Sequence, residues 1–247
     1  MKKLFLLLVF FVCNYMYGQI ILQDETMENY KYEIKQLNDF FERFNLQRIV
    51  VTPMQSDDFK TANRILLFDK DTYLKNKELA DEMIELIEKD SINIHFEDTI
   101  YYAQLKCNCS FQKKEQEVEL LLKVQNIQDD LYKWVIYDAK GDFLTLQPTI
   151  KSEHFIITPA QNEVNFIALT EISQNNNRNI MQYMYDGFES DQLSVLNTLI
   201  YYGLLKINTT ISLTYHFNLN NKFEFSVAYF NRNSKNSGWL INDIVKL

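Results

Sequence analysis

Val118-Glu119-Leu120-Leu121-Leu122-Lys123-Val124, followed by Lys133-Trp134-Val135-Ile136-Tyr137-Asp138, is a stretch that this chain uses twice. The second copy is Phe223-Glu224-Phe225-Ser226-Val227-Ala228-Tyr229, followed by Gly238-Trp239-Leu240-Ile241-Asn242-Asp243. A constant offset of 105 residues superposes the copies without a gap. It lays Glu119 on Glu224, Asn126 on Asn231, Trp134 on Trp239 and Asp138 on Asp243. Each copy reads as a strand, a polar turn and a Trp-containing strand. In the first, Val118, Leu120, Leu122 and Val124 alternate with Glu117, Glu119, Lys123 and Gln125, the period-2 pattern of a sheet with one wet face.

The sequence around these copies predicts helices ahead of strands, twice. Met27, Tyr30, Ile34, Leu37, Phe41 and Phe44 form one helical stripe, with Asp24 placed to cap it. An irregular region with Pro53 and Asp57-Asp58 follows, then a helix at Lys77–Lys89. Strands at Tyr101–Phe111, Glu117–Ile127 and Leu131–Ala139 complete the first set. Pro148 and Pro159 bracket a linker. Beyond it come a helix from Asn162, a helix from Ser190 to Tyr202 ended by Gly203, and strands at Thr210–Phe217, Lys222–Asn231 and Trp239–Val245. Helices first and strands after indicate an α+β fold.

The N-terminus has its own pattern. Met1-Lys2-Lys3 is cationic and Leu4 to Val12 is apolar, which is the layout of a bacterial secretory signal peptide. Cleavage is expected after Gly18, with an uncleaved anchor as the alternative reading. Cys13 is a weak lipoprotein signal, because Phe10, Phe11 and Val12 precede it where a small residue is expected. The expected domains are then 1–18 signal peptide, 19–148 first domain, 149–159 linker and 160–247 a shorter second domain. No later run is long and apolar enough to span a bilayer, so the expected location is periplasmic or secreted.

Composition narrows function. The formal charge is −8, and the first 18 residues hold two lysines and no acid, so the remainder carries −10. A net acidic chain with no basic cluster repels a phosphate backbone, which argues against nucleic-acid binding. Five glycines leave little for Gly-rich phosphate loops. His95, His154 and His216 match no metal spacing. No residue takes a catalytic, cofactor or metal role, and no cofactor is expected. Asp57-Asp58 and Asp129-Asp130 read as solvated turn pairs, and Asp138 and Asp243 as turn or cap residues.

Cys107 and Cys109 remain after signal cleavage. Both fall on the apolar face of the run Ala103, Leu105, Cys107, Cys109, Phe111. Same-face neighbours in a strand lie roughly 6.5–7 Å apart, too far for an unstrained disulfide. They read as two small core residues, with a strained bridge as the alternative and a metal pair disfavoured.

The opening helix ending in Phe40-Phe41-Glu42-Arg43-Phe44-Asn45, together with a terminal Trp-x-Ile strand beside a long antiparallel partner, resembles the NTF2-like superfamily. That resemblance implies a bent antiparallel sheet wrapped around helices, often with a pocket inside, once from about 27 to 143 and again from about 160 to 247. Family enzymes place Asp, His or Tyr inside the cone. Here the expected inward faces are apolar, with only Tyr215 and Tyr229 bringing polar tips, which suits a dry core better than a reaction.

The outward face of the second strand set carries little charge. Ser212, Thr214, Ser226, Ala228 and Phe230 are therefore the expected interface residues. The functional expectation is an exported envelope protein acting as a non-enzymatic binding or assembly module with a protein partner. The alternative is a carrier or enzyme with a small hydrophobic ligand in one cone, and carbohydrate or peptide binding by Tyr101, Tyr102, Tyr201 and Tyr202 is a third. Asp90-Ser91-Ile92 and Asp98-Thr99-Ile100 each resemble a short O-glycosylation motif of some bacterial envelope proteins.

Overall fold

The computed structural model describes residues 37–55, 58–128, 131–145, 188–234 and 236–247. Among them the fold is α+β. The helices are α1 (37–44), α2 (Phe59–Ile65), α3 (Lys70–Lys75), α4 (Lys77–Lys89) and α5 (Gln192–Tyr201). The strands are β1 (Tyr101–Phe111), β2 (Lys114–Gln128), β3 (Leu131–Lys140), β4 (Leu205–Leu219), β5 (Phe223–Phe230) and β6 (Gly238–Lys246). They form one six-stranded antiparallel sheet in the order β3-β2-β1-β4-β5-β6.

This order gives the internal repeat its meaning. The expectation assigned each copy a domain and a sheet of its own. The two copies are instead the outer hairpins of a single sheet, β2–β3 at one side and β5–β6 at the other. The physical reason lies in the length of the repeat. A unit of about twenty residues specifies a hairpin, and an isolated hairpin is only marginally stable in water. Here β1 and β4 join the two. The expected signal peptide, the expected linker 149–159 and the helix expected from Asn162 lie outside the described residues.

Short turns, of two residues between β1 and β2 and three between β4 and β5, connect these hairpins. Gln112 and Lys113 at one turn have φ of 51° and 65°, and Asn220 and Asn221 at the other have φ of 53° and 55°. Such left-handed pairs match the twist of the flanking strands, and Asn tolerates them well. β4 and β5 then pair Thr214 with Ala228, His216 with Ser226 and Asn218 with Glu224. A bulge between Ser226 and Val227 shifts the pairing with β6.

The chain divides into two compact units, formed by the described parts of Met1–Ala103, Lys123–Trp134 and Leu213–Leu247, and of Gln104–Leu122 and Val135–Ser212. The first unit has an aromatic interior. Phe40, Phe41 and Phe44 on α1 meet Tyr101, Phe217 and Phe225 on the sheet at ring separations of 5.8–6.2 Å. Phe217 lies stacked between Phe225 at 4.8 Å and Tyr101 at 5.1 Å. Tyr215 bridges the two repeat tryptophans, Trp134 at 6.1 Å and Trp239 at 5.1 Å. Ala80, Met83, Ile84 and Ile87 are the buried stripe of α4, as its spacing predicts.

The stretch expected to be irregular contains α2 and α3. Each is short, and each begins at an aspartate whose carboxylate accepts a backbone N–H three residues on, Asp58 from Thr61 and Asp69 from Thr72. Asn63, on α2, accepts from the N–H groups of Val50 and Val51 and donates to the carbonyls of Val51 and Phe59. One buried side chain thus fixes the loop before it. Buried Arg64 donates to Glu88 at 2.9 Å and lies over Phe44, coupling α2 to α4 and to the core.

The second unit is smaller. Cys107, Cys109, Val118, Leu120 and Ala139 from the strands pack with Leu196 of α5 and Leu205. Both cysteines are buried free thiols, the core reading given to them above. Asp191, not Ser190, caps α5. It accepts from the Ser194 N–H at 2.8 Å and from the Ser194 hydroxyl at 2.7 Å.

Replacing Phe217 with Ala removes the ring held between two others and should cost ~3–5 kcal/mol of folding free energy, measured by urea denaturation. A loss under 1 kcal/mol would show that the stack does not hold the first unit together.

Candidate interaction face

Two faces of β4 and β5 have different chemistry. The face toward α1 carries Tyr215, Phe217, Phe223, Phe225 and Val227, all buried. The opposite face carries Thr214, His216, Ser226 and Ala228, brought side by side by the β4–β5 register. Tyr102 of β1 continues this row, with its ring stacked on His216 at 4.8 Å and 10°.

The structure places the expected interface residues unevenly. Thr214, Ala228 and Phe230 are half-buried. Ser226 is buried and donates to Asn242 Oδ1 at 3.0 Å, so its hydroxyl is committed within the protein. Phe230 lies at the end of β5 beneath the Arg232 guanidinium, 4.3 Å from the ring centre. Ser212 is exposed and belongs to the other unit. Of the expected interface residues in the first unit, Thr214 and Ala228 are accessible, with Phe230 at the end of the row, beside the equally half-buried Tyr102 and His216.

Sequence reading missed the polar cluster beside Phe230. Asp69 is buried and caps α3, and it also accepts from Arg232 of the β5–β6 loop. Asn236 donates to the Phe68 carbonyl at 2.8 Å and accepts from the Lys70 N–H at 3.0 Å. Phe68 bridges Ile241 of β6 in parallel. The Asp69 N–H donates to the Ile241 carbonyl, and the Ile241 N–H to that of Leu67. The segment 67–69 thus occupies the outer edge of β6, which would otherwise offer free backbone groups. The signal for this was Asp69 followed by Thr72, a cap pattern, but its arginine lies 163 residues away.

Protonation argues in the same direction. Burial alone would raise the Asp69 carboxyl, but the Arg232 hydrogen bond and charge and the Thr72 N–H outweigh it, and the net shift is downward. Burial pushes the Tyr101 phenol well above its ordinary value, and its hydroxyl donates to the Phe96 carbonyl at 2.7 Å. Burial also raises both cysteine thiols. Thiols raised in this way are poor nucleophiles at neutral pH.

The remaining candidates separate in space. His95 is exposed, its N–H bonded to Asp98, and His154 lies outside the described residues. Asp138 and Asp243 sit within β3 and β6 and not in turns after them, because the ladders run past the apolar stretch. Tyr101 is core and Tyr102 is stacked, whereas Tyr201 and Tyr202 are exposed. A surface groove of about 310 Å³ beside α4 is lined by Phe223 and by charges of both signs, including Glu82, Glu85, Lys89, Lys222 and Lys246. Among the described residues no three His, Cys, Asp or Glu side chains form a metal-binding set. None of the described helices is long and apolar enough to cross a membrane.

Comparison with protein families, with curated proteins and with solved structures finds no match to this chain.

The lowered Asp69 carboxyl contributes stability that is present above its unfolded pKa and is lost as pH falls through the folded one. Arg232→Ala should therefore lower folding stability at pH 7 by ~1.5–3 kcal/mol. It should also flatten the decline in stability between about pH 5 and pH 2, measured by urea denaturation across pH. Equal pH slopes for the two proteins would show that Arg232 does not hold this carboxylate.

Proposed function

We propose that this chain is an exported, non-enzymatic binding or assembly module of the bacterial cell envelope, working through its outer surface on a protein partner. The observation that carries the reading is the aromatic interior of the first unit. Phe40, Phe41, Phe44, Tyr101, Phe217 and Phe225 occupy the concavity that a ligand-binding cone would leave open, with neighbouring rings 4.8–6.4 Å apart. A helix carrying three phenylalanines laid on a sheet also supports an NTF2-like arrangement with its pocket filled. A carrier of small hydrophobic ligands would need the space those rings take.

Binding then falls to surfaces low in charge. Thr214 and Ala228 form one cross-strand pair, half-buried and uncharged, on a regular ladder. Small neutral side chains on a rigid strand are cheap to desolvate, since no rotamer-rich side chain has to be ordered. Location in the periplasm or outside the cell follows from the signal-like N-terminus and belongs to the same proposal.

A photo-crosslinking amino acid placed at Thr214 or at Ala228, in cells that make the protein natively, should give a discrete higher-mass adduct. The same group at Lys113, in the β1–β2 turn, should give none. Absence of an adduct at both positions, in protein that folds normally, would remove this face as the interface.

A further inference from the structure

Two three-residue stretches singled out above fall in one loop. Asp90-Ser91-Ile92 and Asp98-Thr99-Ile100 stand at the two ends of the segment that joins α4 to β1. Ser91 and Thr99 are both exposed. Among the described residues neither hydroxyl has a hydrogen-bond partner, whereas the backbone around each is fixed. At the first end, the N–H groups of Asp90 and Ile92 donate to the carbonyls of Leu86 and Ile87, and Ser91 takes a left-handed φ of 49°. At the second, the His95 N–H donates to Asp98 Oδ2 at 2.6 Å and the Asp98 N–H to the His95 carbonyl at 3.1 Å. Between them buried Ile94 is held by Asn45, whose side chain accepts from its N–H at 2.9 Å and donates to its carbonyl at 2.8 Å.

The loop is therefore anchored at its centre and presents a hydroxyl on a turn at either end. A transferase acting on a folded chain needs this arrangement, with the acceptor oxygen outside and not engaged in a bond. The recognition residues beside it are reachable as well. Asp90 and Ile100 are exposed, and Asp98 and Ile92 are half-buried. The chain offers an internal contrast in Asp71-Thr72-Tyr73. The Thr72 hydroxyl is only half-exposed, bonds Asp69 and the Asn242 carbonyl, and lies within α3.

We infer that Ser91 and Thr99 are acceptor sites for O-linked glycans, added during or after export. The acceptor Oγ attacks the anomeric carbon of a glycan activated as a phosphate ester of a carrier. An Oγ–C1 bond replaces the C1–O bond to phosphate, the carrier phosphate leaves, and the hydroxyl proton passes to a base of the transferase. The inference rests on the export reading above.

The test uses the full chain purified from fractionated cells of the organism that encodes it, with the fraction recorded, analysed by intact mass and by glycopeptide mass spectrometry. Two glycan masses are expected on the peptide covering residues 90–100, both released by mild alkali. Ser91→Ala and Thr99→Ala should each remove one. Asp98→Asn, which keeps the Thr99 hydroxyl, should remove the same one as Thr99→Ala, and Thr72→Ala should remove none. An unmodified 90–100 peptide overturns the inference. If the protein is recovered from the envelope or the medium, the export reading survives, and if it is recovered only from the cytoplasm, both fail.

Discussion

Phe217 has an aromatic ring on either face, Tyr101 from β1 and Phe225 from β5, and the first unit is arranged around that stack. The three strands are neighbours in the sheet, so one residue on each, at matching height, brings the rings together. Phe40 and Phe41 of α1 approach Phe217, and Phe44 lies parallel to Phe225 at 6.1 Å. Such ring pairs add ~0.5–1.5 kcal/mol each beyond the area they bury. The same contacts close the space beneath the helix. Stability and the filling of that space by the chain's own rings are two results of one packing arrangement.

That constraint moves attention to the outside of the fold. One edge of the sheet is dressed by backbone, since segment 67–69 lies along β6 and Arg232 and Asn236 tie the β5–β6 loop to it. A covered edge discourages pairing with a stray strand. The small neutral row on β4 and β5 is held on the same fixed framework. In the proposed binding role, a surface so held would lose little entropy on meeting a partner.

The sequence showed its regular parts clearly. Helix α4 was expected at Lys77–Lys89 and strand β1 at Tyr101–Phe111, and both have those limits, because each has a strong period and sharp ends. The burial of Cys107 and Cys109 followed from the alternation alone. Helices α2 and α3 were not seen, because helices of 7 and 6 residues are too short to show a stripe and announce themselves only by their caps. The repeat was found, but its architecture was not. Residue patterns specify which strands form hairpins, whereas the joining of β1 to β4 depends on residues roughly a hundred positions apart. The Asp69–Arg232 pair was hidden for the same reason.

Ser226 illustrates the limit on the site. Alternation put it on the outer face, where it does lie, yet a bulge in the pairing with β6 brings Asn242 against it and buries its hydroxyl. A period of two predicts the face of a strand but not what folds over it.

The account depends on the aromatic interior being filled by the chain's own rings. Crystals of the purified protein placed under xenon pressure test this directly, because xenon enters apolar voids and scatters strongly. The account predicts no xenon among Tyr101, Phe217, Phe225, Tyr215 and Trp239. An ordered xenon atom there, or density for a co-purified hydrophobic ligand, would contradict it and return the protein to the class of small-molecule carriers.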